Sequence, residues 1–251
     1  MENFKEKAFS YAAFGKIFAH LFVVMEPKIF YHKQLEKKGK QEKADKFGFK
    51  AVKKWAGFVC KAAKVKVTVT GLEKIPTDRP VLFTPNHQSY ADVPILLHAL
   101  KDFDYGFLMR MQLNTFFAIE QISHILHCVP INQENAREGV KALNKTAEQI
   151  KNGFSMVVFP EGKRGFSNTP DEFKNGAFKI VQKTGVTVVP IYIRNAFKIL
   201  EGAGGVITPT DVSVTVLDPI ETSTMNREQV RELNEKVHKI ILDESKKYKE
   251  D

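Results

Sequence analysis

Two short segments hold the residue types that can do chemistry. The first is Pro85-Asn86-His87-Gln88-Ser89-Tyr90-Ala91-Asp92, which directly follows the apolar run Val81 to Thr84. A separation of five is wrong for neighbours on a regular helix, which lie three or four apart. It works if His87 sits in a turn and Asp92 opens the next helix, folding back onto one ring nitrogen. Such a carboxylate fixes the imidazole tautomer and leaves the other nitrogen to take a proton. The same pair also serves as a plain structural hydrogen bond, and this segment alone does not choose between the two.

The second segment is Phe159-Pro160-Glu161-Gly162-Lys163-Arg164-Gly165, again at the end of an apolar run. Adjacent cations flanked by glycines suit an anion: the backbone can approach closely, and a guanidinium can grip a phosphate with two bonds. A nucleotide P-loop is excluded, because Arg follows Gly162-Lys163 and the upstream glycine is missing. Taken alone, a solvated basic turn fits equally well. His124, His127 and Cys128 lack a fourth ligand and any metal-binding spacing, so they read as packing and no metal is expected. No Gly-x-Ser-x-Gly elbow supplies a serine nucleophile. Cys128 directly follows His127, and adjacent residues on a helix do not face one another.

The elements that must position these segments read as α/β. Val65, Val67 and Val69 alternate and end at Gly71, and Val212, Val214 and Val216 alternate near the end of the chain. Runs at 81–84, 106–109, 156–159 and 186–193 suit buried strands. Helical patterns fall at 94–100, around Leu113 to Leu126, and at 138–151, where Val140, Leu143, Ala147 and Ile150 share a side. A closing helix runs from about Arg227 to Lys246, started by Asn226 and Gln229, with Val230, Leu233, Val237, Ile240 and Ile241 buried. The expected fold is a mixed, mostly parallel central sheet flanked by helices, preceded by a two-helix segment. We divide the chain into that segment, 1–66, and a main domain, 67–251.

The 251 residues, 43% apolar and 27% charged, fit a globular protein, and two cysteines exclude a disulfide framework. The chain shows no secretory signal pattern. Its net charge is +9, yet residues 1–66 hold sixteen lysines against six acids, a surplus of ten, so the remainder is nearly neutral. Phe4, Ala8, Tyr11, Phe18, Phe22 and Met25 form one helical stripe that Phe14, Ile17 and Leu21 widen. Phe47, Ala51, Trp55, Phe58 and Ala62 form a second among lysines, beyond a lysine-rich linker at 37–43. Apolar faces flanked by lysine suit an interfacial helix on an anionic membrane surface, with Phe4, Tyr11, Phe18, Phe22 and Trp55 as docking residues. The alternative is that both stripes pack on the main domain. A full crossing is not expected, because the run Ala12 to Met25 holds Lys16 and His20 and falls short of about 20 residues. Nucleic acid is not an expected partner: the basic segment has no Arg and no binding module.

Together the two segments resemble the glycerophospholipid acyltransferases. Asn86-His87-Gln88-Ser89-Tyr90-Ala91-Asp92 is similar to that family's His-x4-Asp motif, and 159–165 to its Phe-Pro-Glu-Gly-(Thr)-Arg-(Ser) motif. Phe173-Lys174-Asn175-Gly176-Ala177-Phe178 and Val188-Val189-Pro190-Ile191 match in order and spacing, so the resemblance runs from about Val67 to Asp218. The nearest subgroup is the 1-acylglycerol-3-phosphate acyltransferases, including forms with a two-helix membrane-docking segment. The resemblance implies His87 as general base and Asp92 as its orienting partner. It places Glu161, Gly162, Lys163 and Arg164 at the acceptor's phosphate and Pro190 at the acyl-donor wall. The family's apolar-Asp-Arg stretch appears here as Ile131-Asn132-Gln133, and its Lys-x-Glu-Leu as Arg110-Met111-Gln112-Leu113. Arg110 and Arg137 are therefore further phosphate candidates. The implied reaction joins an acyl group from acyl-CoA or acyl-carrier protein to lysophosphatidic acid, without a cofactor, on the cytoplasmic face of a membrane. Another acceptor (glycerol 3-phosphate, a lysophospholipid or a lyso-aminolipid) and a catalytically silent lipid-binding protein are the alternatives.

Overall fold

The structure, a computed structural model, describes residues 2–112 and 117–248. Seven strands form one sheet in the order β1-β7-β6-β2-β5-β3-β4. They are β1 (Lys66–Thr70), β2 (Val81–Pro85), β3 (Tyr105–Arg110), β4 (Val129–Ile131), β5 (Ser155–Val157), β6 (Thr187–Arg194) and β7 (Asp211–Val216). Only the β6–β7 pairing among these is antiparallel, so the sheet is mixed and mostly parallel, as the alternation of patterns predicts. β2 and β6, buried along nearly their whole length, occupy the centre and read as continuous apolar runs.

Helices cover both faces. The helices are α1 (Glu2–His20), α2 (Glu26–Lys37), α3 (Gln41–Ala62), α4 (Asp92–Ala99), α5 (Phe117–Ile125), α6 (Ala136–Lys151), α7 (Asn175–Thr184), α8 (Arg227–Arg231) and α9 (Leu233–Ser245). On one face Phe49, Val52 and Ala56 of α3 and Ile95, Leu96 and Leu97 of α4 bury against Phe83, Val157, Val189 and Ile191. On the other, Leu143, Ala147 and Ile150 of α6, Phe178 and Val181 of α7, and Val237 and Ile241 of α9 cover Leu82, Met156, Val188 and Tyr192. Val140 departs from its expected side of α6 and is exposed. The closing helix is broken at Glu232 into α8 and α9, and the expected Asn226–Gln229 capping box opens α8. Of the helix expected from Leu113, Leu113 itself lies outside the described residues. Gly71 ends β1 at φ +80, and a Cβ there would stand 2.3 Å from the Val216 carbonyl oxygen, so both the conformation and the space demand glycine.

α1 and α2 run on as one helix, 4–37, through a π turn at Leu21–Met25. By length and composition its 34 residues could cross a membrane, which the apolar run alone did not indicate. One side, however, is packed: Met25, Ile29, His32 and Leu35 are buried, and the Ser10 hydroxyl accepts a hydrogen bond from the Ile207 amide at 2.9 Å. The opposite side is bare, with Phe4 77%, Tyr11 74%, Phe18 56% and Phe22 58% exposed, continued by Val23 and Phe30. Met25 leaves the stripe for the core because the π turn adds a residue and rotates the next turns of the helix out of phase. In the second stripe Ala51 is buried, while Phe47, Trp55, Phe58 and Ala62 are half-buried, Trp55 against the main core.

Candidate active site

β2 and β5 are adjacent and parallel, so the chain leaves both at the same sheet edge. Such an edge, where strands end together in an open α/β sheet, is where crevices form. His87 follows β2 by two residues, and the turn at 159–165 follows β5.

His87 is held by two contacts of its ring and one of its backbone. Its Nδ1 lies 2.8 Å from Asp92 Oδ2, its face stacks on Phe159 at 4.1 Å, and its backbone carbonyl accepts from the Gly165 amide at 2.8 Å. Asp92 begins α4 and is fully buried; the same Oδ2 also accepts from the Gln88 and Ser89 amides at 2.7 and 2.9 Å. Three partners on one oxygen lock the turn around it. With Nδ1–H directed at Asp92, Nε2 is the nitrogen left to accept a proton.

Glu161 joins the two turns. Its Oε1 accepts from the His87 amide at 2.7 Å and its Oε2 from the Asp171 amide at 3.2 Å, and it is 2% exposed. Burial pushes its carboxyl up to about 8, against the pull of those two amides. Both oxygens are taken by backbone amides, so Glu161 ties the two loops together. Gly162 adopts φ +68, and its carbonyl accepts from Arg110 Nη2 at 3.0 Å, which brings the end of β3 to the same place. Arg164 lies over the Tyr90 ring at 3.6 Å and pairs with Glu201 at 2.9 Å.

The remaining candidates fall elsewhere. Lys163 is exposed and pairs with Asp171 at 2.8 Å, which raises its pKa. Arg137 is exposed in the first turn of α6, which follows β4, two strands from β5. Pro190 is buried in β6, in register with Thr84. Its carbonyl accepts from the Leu217 amide, and β7 stops at Val216, just where a partner would need the hydrogen that proline lacks. His124 bonds Glu36 at 2.9 Å and His127 bonds Asp45 at 3.0 Å. Burial pushes the Cys128 thiol up to about 12 and Cys60 to about 11, which keeps both protonated and poorly nucleophilic.

Sequence reasoning did not single out Glu201 or Asn168. Asn168 accepts from Gln88 Nε2 and the Asn195 amide, while Gln88 Oε1 accepts from the Ala196 amide, tying the end of β6 to both turns. These partners are far apart in the chain and follow no period, so no sequence signal marks them.

Comparisons with known proteins bear on the family and the fold. The family model described as Acyltransferase matches residues 66–194. The 1-acyl-sn-glycerol-3-phosphate acyltransferase LPAT1 (chloroplastic) of Arabidopsis thaliana is 34% identical over 160 residues, 63% of this chain and 44% of its own. The Saccharomyces cerevisiae 1-acyl-sn-glycerol-3-phosphate acyltransferase is 28% identical over 193 residues, 70% of this chain and 59% of its own. The chain thus spans about half the length of these curated relatives. The crystal structure of the 1-acyl-sn-glycerophosphate (LPA) acyltransferase PlsC from Thermotoga maritima superposes with a TM-score of 0.84 at 24% identity, covering 98% of this chain and 97% of that one, and shows the same fold. The matched region contains His87, Asp92 and the whole 159–165 turn, and on that ground the chain belongs to the acyltransferase family.

Proposed function

We propose that this protein transfers a fatty acyl group from an acyl thioester to the sn-2 hydroxyl of 1-acylglycerol 3-phosphate, giving phosphatidic acid. The observation that carries this reading is the His87–Asp92 pair at 2.8 Å, set beside the cationic turn of Arg164 at one sheet edge. His87 Nε2 takes the proton from the acceptor hydroxyl as its oxygen attacks the thioester carbonyl. The tetrahedral intermediate then collapses, breaking the C–S bond, and the imidazolium returns the proton to the departing thiolate. Asp92 stabilises the imidazolium meanwhile. With both thiols held protonated, direct transfer is favoured over an acyl-enzyme.

Arg164 and Arg110 are the cations we assign to the acceptor's phosphate; Gln133 is exposed just beyond β4, whose last residue, Ile131, is in register with Arg110. The bare face of 4–37, with Lys5, Lys7 and Lys16 exposed around it, supports docking on the anionic, cytoplasmic face of a membrane. In this reading residues 1–66 dock and 67–251 catalyse, with acyl-CoA or acyl-carrier protein as donor.

An acceptor panel with one acyl-CoA tests the assignment. A charge-assisted bond is worth about 1.5–3 kcal/mol, so 1-acylglycerol 3-phosphate should exceed 1-acylglycerol in kcat/KM by tenfold or more. A preference for glycerol 3-phosphate or a zwitterionic lysolipid would replace the acceptor while keeping the reaction.

A further inference from the structure

We propose that Glu201 is a positioning residue that sets the span between the base His87 and the phosphate-gripping edge of Arg164, and so selects a glycerol phosphate as acceptor. This rests on the phosphate assignment of Arg164 made above.

Glu201 lies just beyond β6, more than thirty residues from Arg164, yet its carboxylate is where the two turns converge. Oε1 accepts from Arg164 Nη1 at 2.9 Å and from the Tyr90 amide at 2.9 Å; Oε2 accepts from the Ser89 hydroxyl at 2.6 Å. Ser89 and Tyr90 are the second and third residues after His87, so the carboxylate is coupled to the base through the short turn they share. The Tyr90 ring beneath the guanidinium, 3.6 Å away, fixes its plane, and the Phe166 ring lies 5.2 Å from it. A guanidinium carries five N–H donors, and Glu201 uses one, leaving a second edge for a bidentate anion.

The chemistry explains why the span matters. The sn-2 oxygen and the phosphate of the acceptor are a fixed few bonds apart, and reaction requires the first at Nε2 while the second sits on Arg164. An arginine on a flexible side chain would satisfy the phosphate in many positions and present the hydroxyl in few. Anchored to the turn that bears the base, it holds both ends together, which is the orientational part of catalysis. Glu201 is 14% exposed in its side chain, so its pair with Arg164 is only lightly screened. A carboxylate beside a phosphate also repels it, so Glu201 contributes by geometry rather than by charge.

That distinction makes the inference testable with an isosteric variant. In Glu201→Gln the amide oxygen can accept from Arg164 and the Tyr90 amide, and the NH2 can donate to the Ser89 oxygen. All three contacts survive without the charge. Steady-state kinetics with 1-acylglycerol 3-phosphate should show acceptor KM raised about tenfold in Glu201→Ala, a loss of about 1.4 kcal/mol. The KM for acyl-CoA should stay within about twofold, and Glu201→Gln should restore most of the acceptor KM. Glu201→Asp, which keeps the charge but draws it back by one methylene, should behave like Glu201→Ala and serves if the alanine variant does not fold. In an Arg164→Ala background, which itself raises acceptor KM, Glu201→Ala should add little, because the two act as one unit. A lowered acceptor KM in both Glu201→Ala and Glu201→Gln would mean that the carboxylate occupies the phosphate's own place, and would overturn the proposal. So would an equal loss in Ala and Gln, or full additivity with Arg164→Ala. An Arg164→Ala enzyme with unchanged acceptor KM would instead remove the phosphate assignment, and this inference with it.

Discussion

The sheet edge and the N-terminal helix invert one another. At the edge, polar groups are buried and bonded within the chain: Asp92 through Oδ2 and Glu161 through both oxygens are almost wholly enclosed, their bonds ending on the adjoining turns. Along 4–37 the rings of Phe4, Tyr11, Phe18 and Phe22 stand in the open, while the opposite side of the same helix is packed. Burying a charge costs several kcal/mol unless hydrogen bonds offset it, and exposing a ring forgoes about 1.5–3 kcal/mol of burial. One region is organised for a reaction inside the protein, and the other for a solvent outside it.

Breaking the first region should have the largest effect. Asp92→Asn leaves a side chain of the same size but removes the carboxylate that orients Nδ1–H. We expect kcat to fall by about 10²–10⁴, the scale of general-base catalysis, with acceptor KM little changed. A drop of less than threefold, measured in single turnovers, would reduce the pair to a structural bond. In the second region, Phe18→Asp with Phe22→Asp should weaken partition onto anionic vesicles by about 10² or more, since two rings of about 1.5–3 kcal/mol are lost. Flotation that does not change would mean that the exposed rings meet something other than lipid.

The smallest effect is the most diagnostic of buried charge. The Glu161 carboxyl is raised to about 8 from 4.5, mainly by burial, so its protonated form is the one the fold prefers. The stability that preference contributes is present below pH 4.5 and is lost as pH rises to about 8. Glu161→Gln is neutral throughout. The melting temperature of the wild type should therefore fall behind the variant by a few degrees across that window, then hold a constant gap. A gap that does not change from pH 5 to 8 would show that the two amide bonds, rather than burial, govern this carboxyl.

Legibility in the sequence divides along the same line. His87 and Asp92 are legible because a strand end, a turn and a helix start leave a spacing of five only one sensible geometry. Strand and helix order is legible because burial imposes periods of two and 3.6. β4 escapes notice because three residues, one of them Pro130, are too short to show a period. The half-buried Trp55 marks a limit of the sequence: a helix facing lipid and a helix facing a core carry the same stripe, and only tertiary packing tells them apart. Met25 misleads because a π turn changes the period in mid-helix. Glu201 is invisible, being joined to Ser89 across 112 positions of chain.

The central claim is that His87 is the base of an acyl transfer to a phosphate-bearing acceptor. Thiol release from a long-chain acyl-CoA, measured with and without 1-acylglycerol 3-phosphate in wild type and His87→Ala, tests it most directly. We expect release that requires the acceptor and falls by at least about 10²–10⁴ in a folded His87→Ala variant. Acceptor-dependent release at a near-normal rate in that variant would contradict the claim.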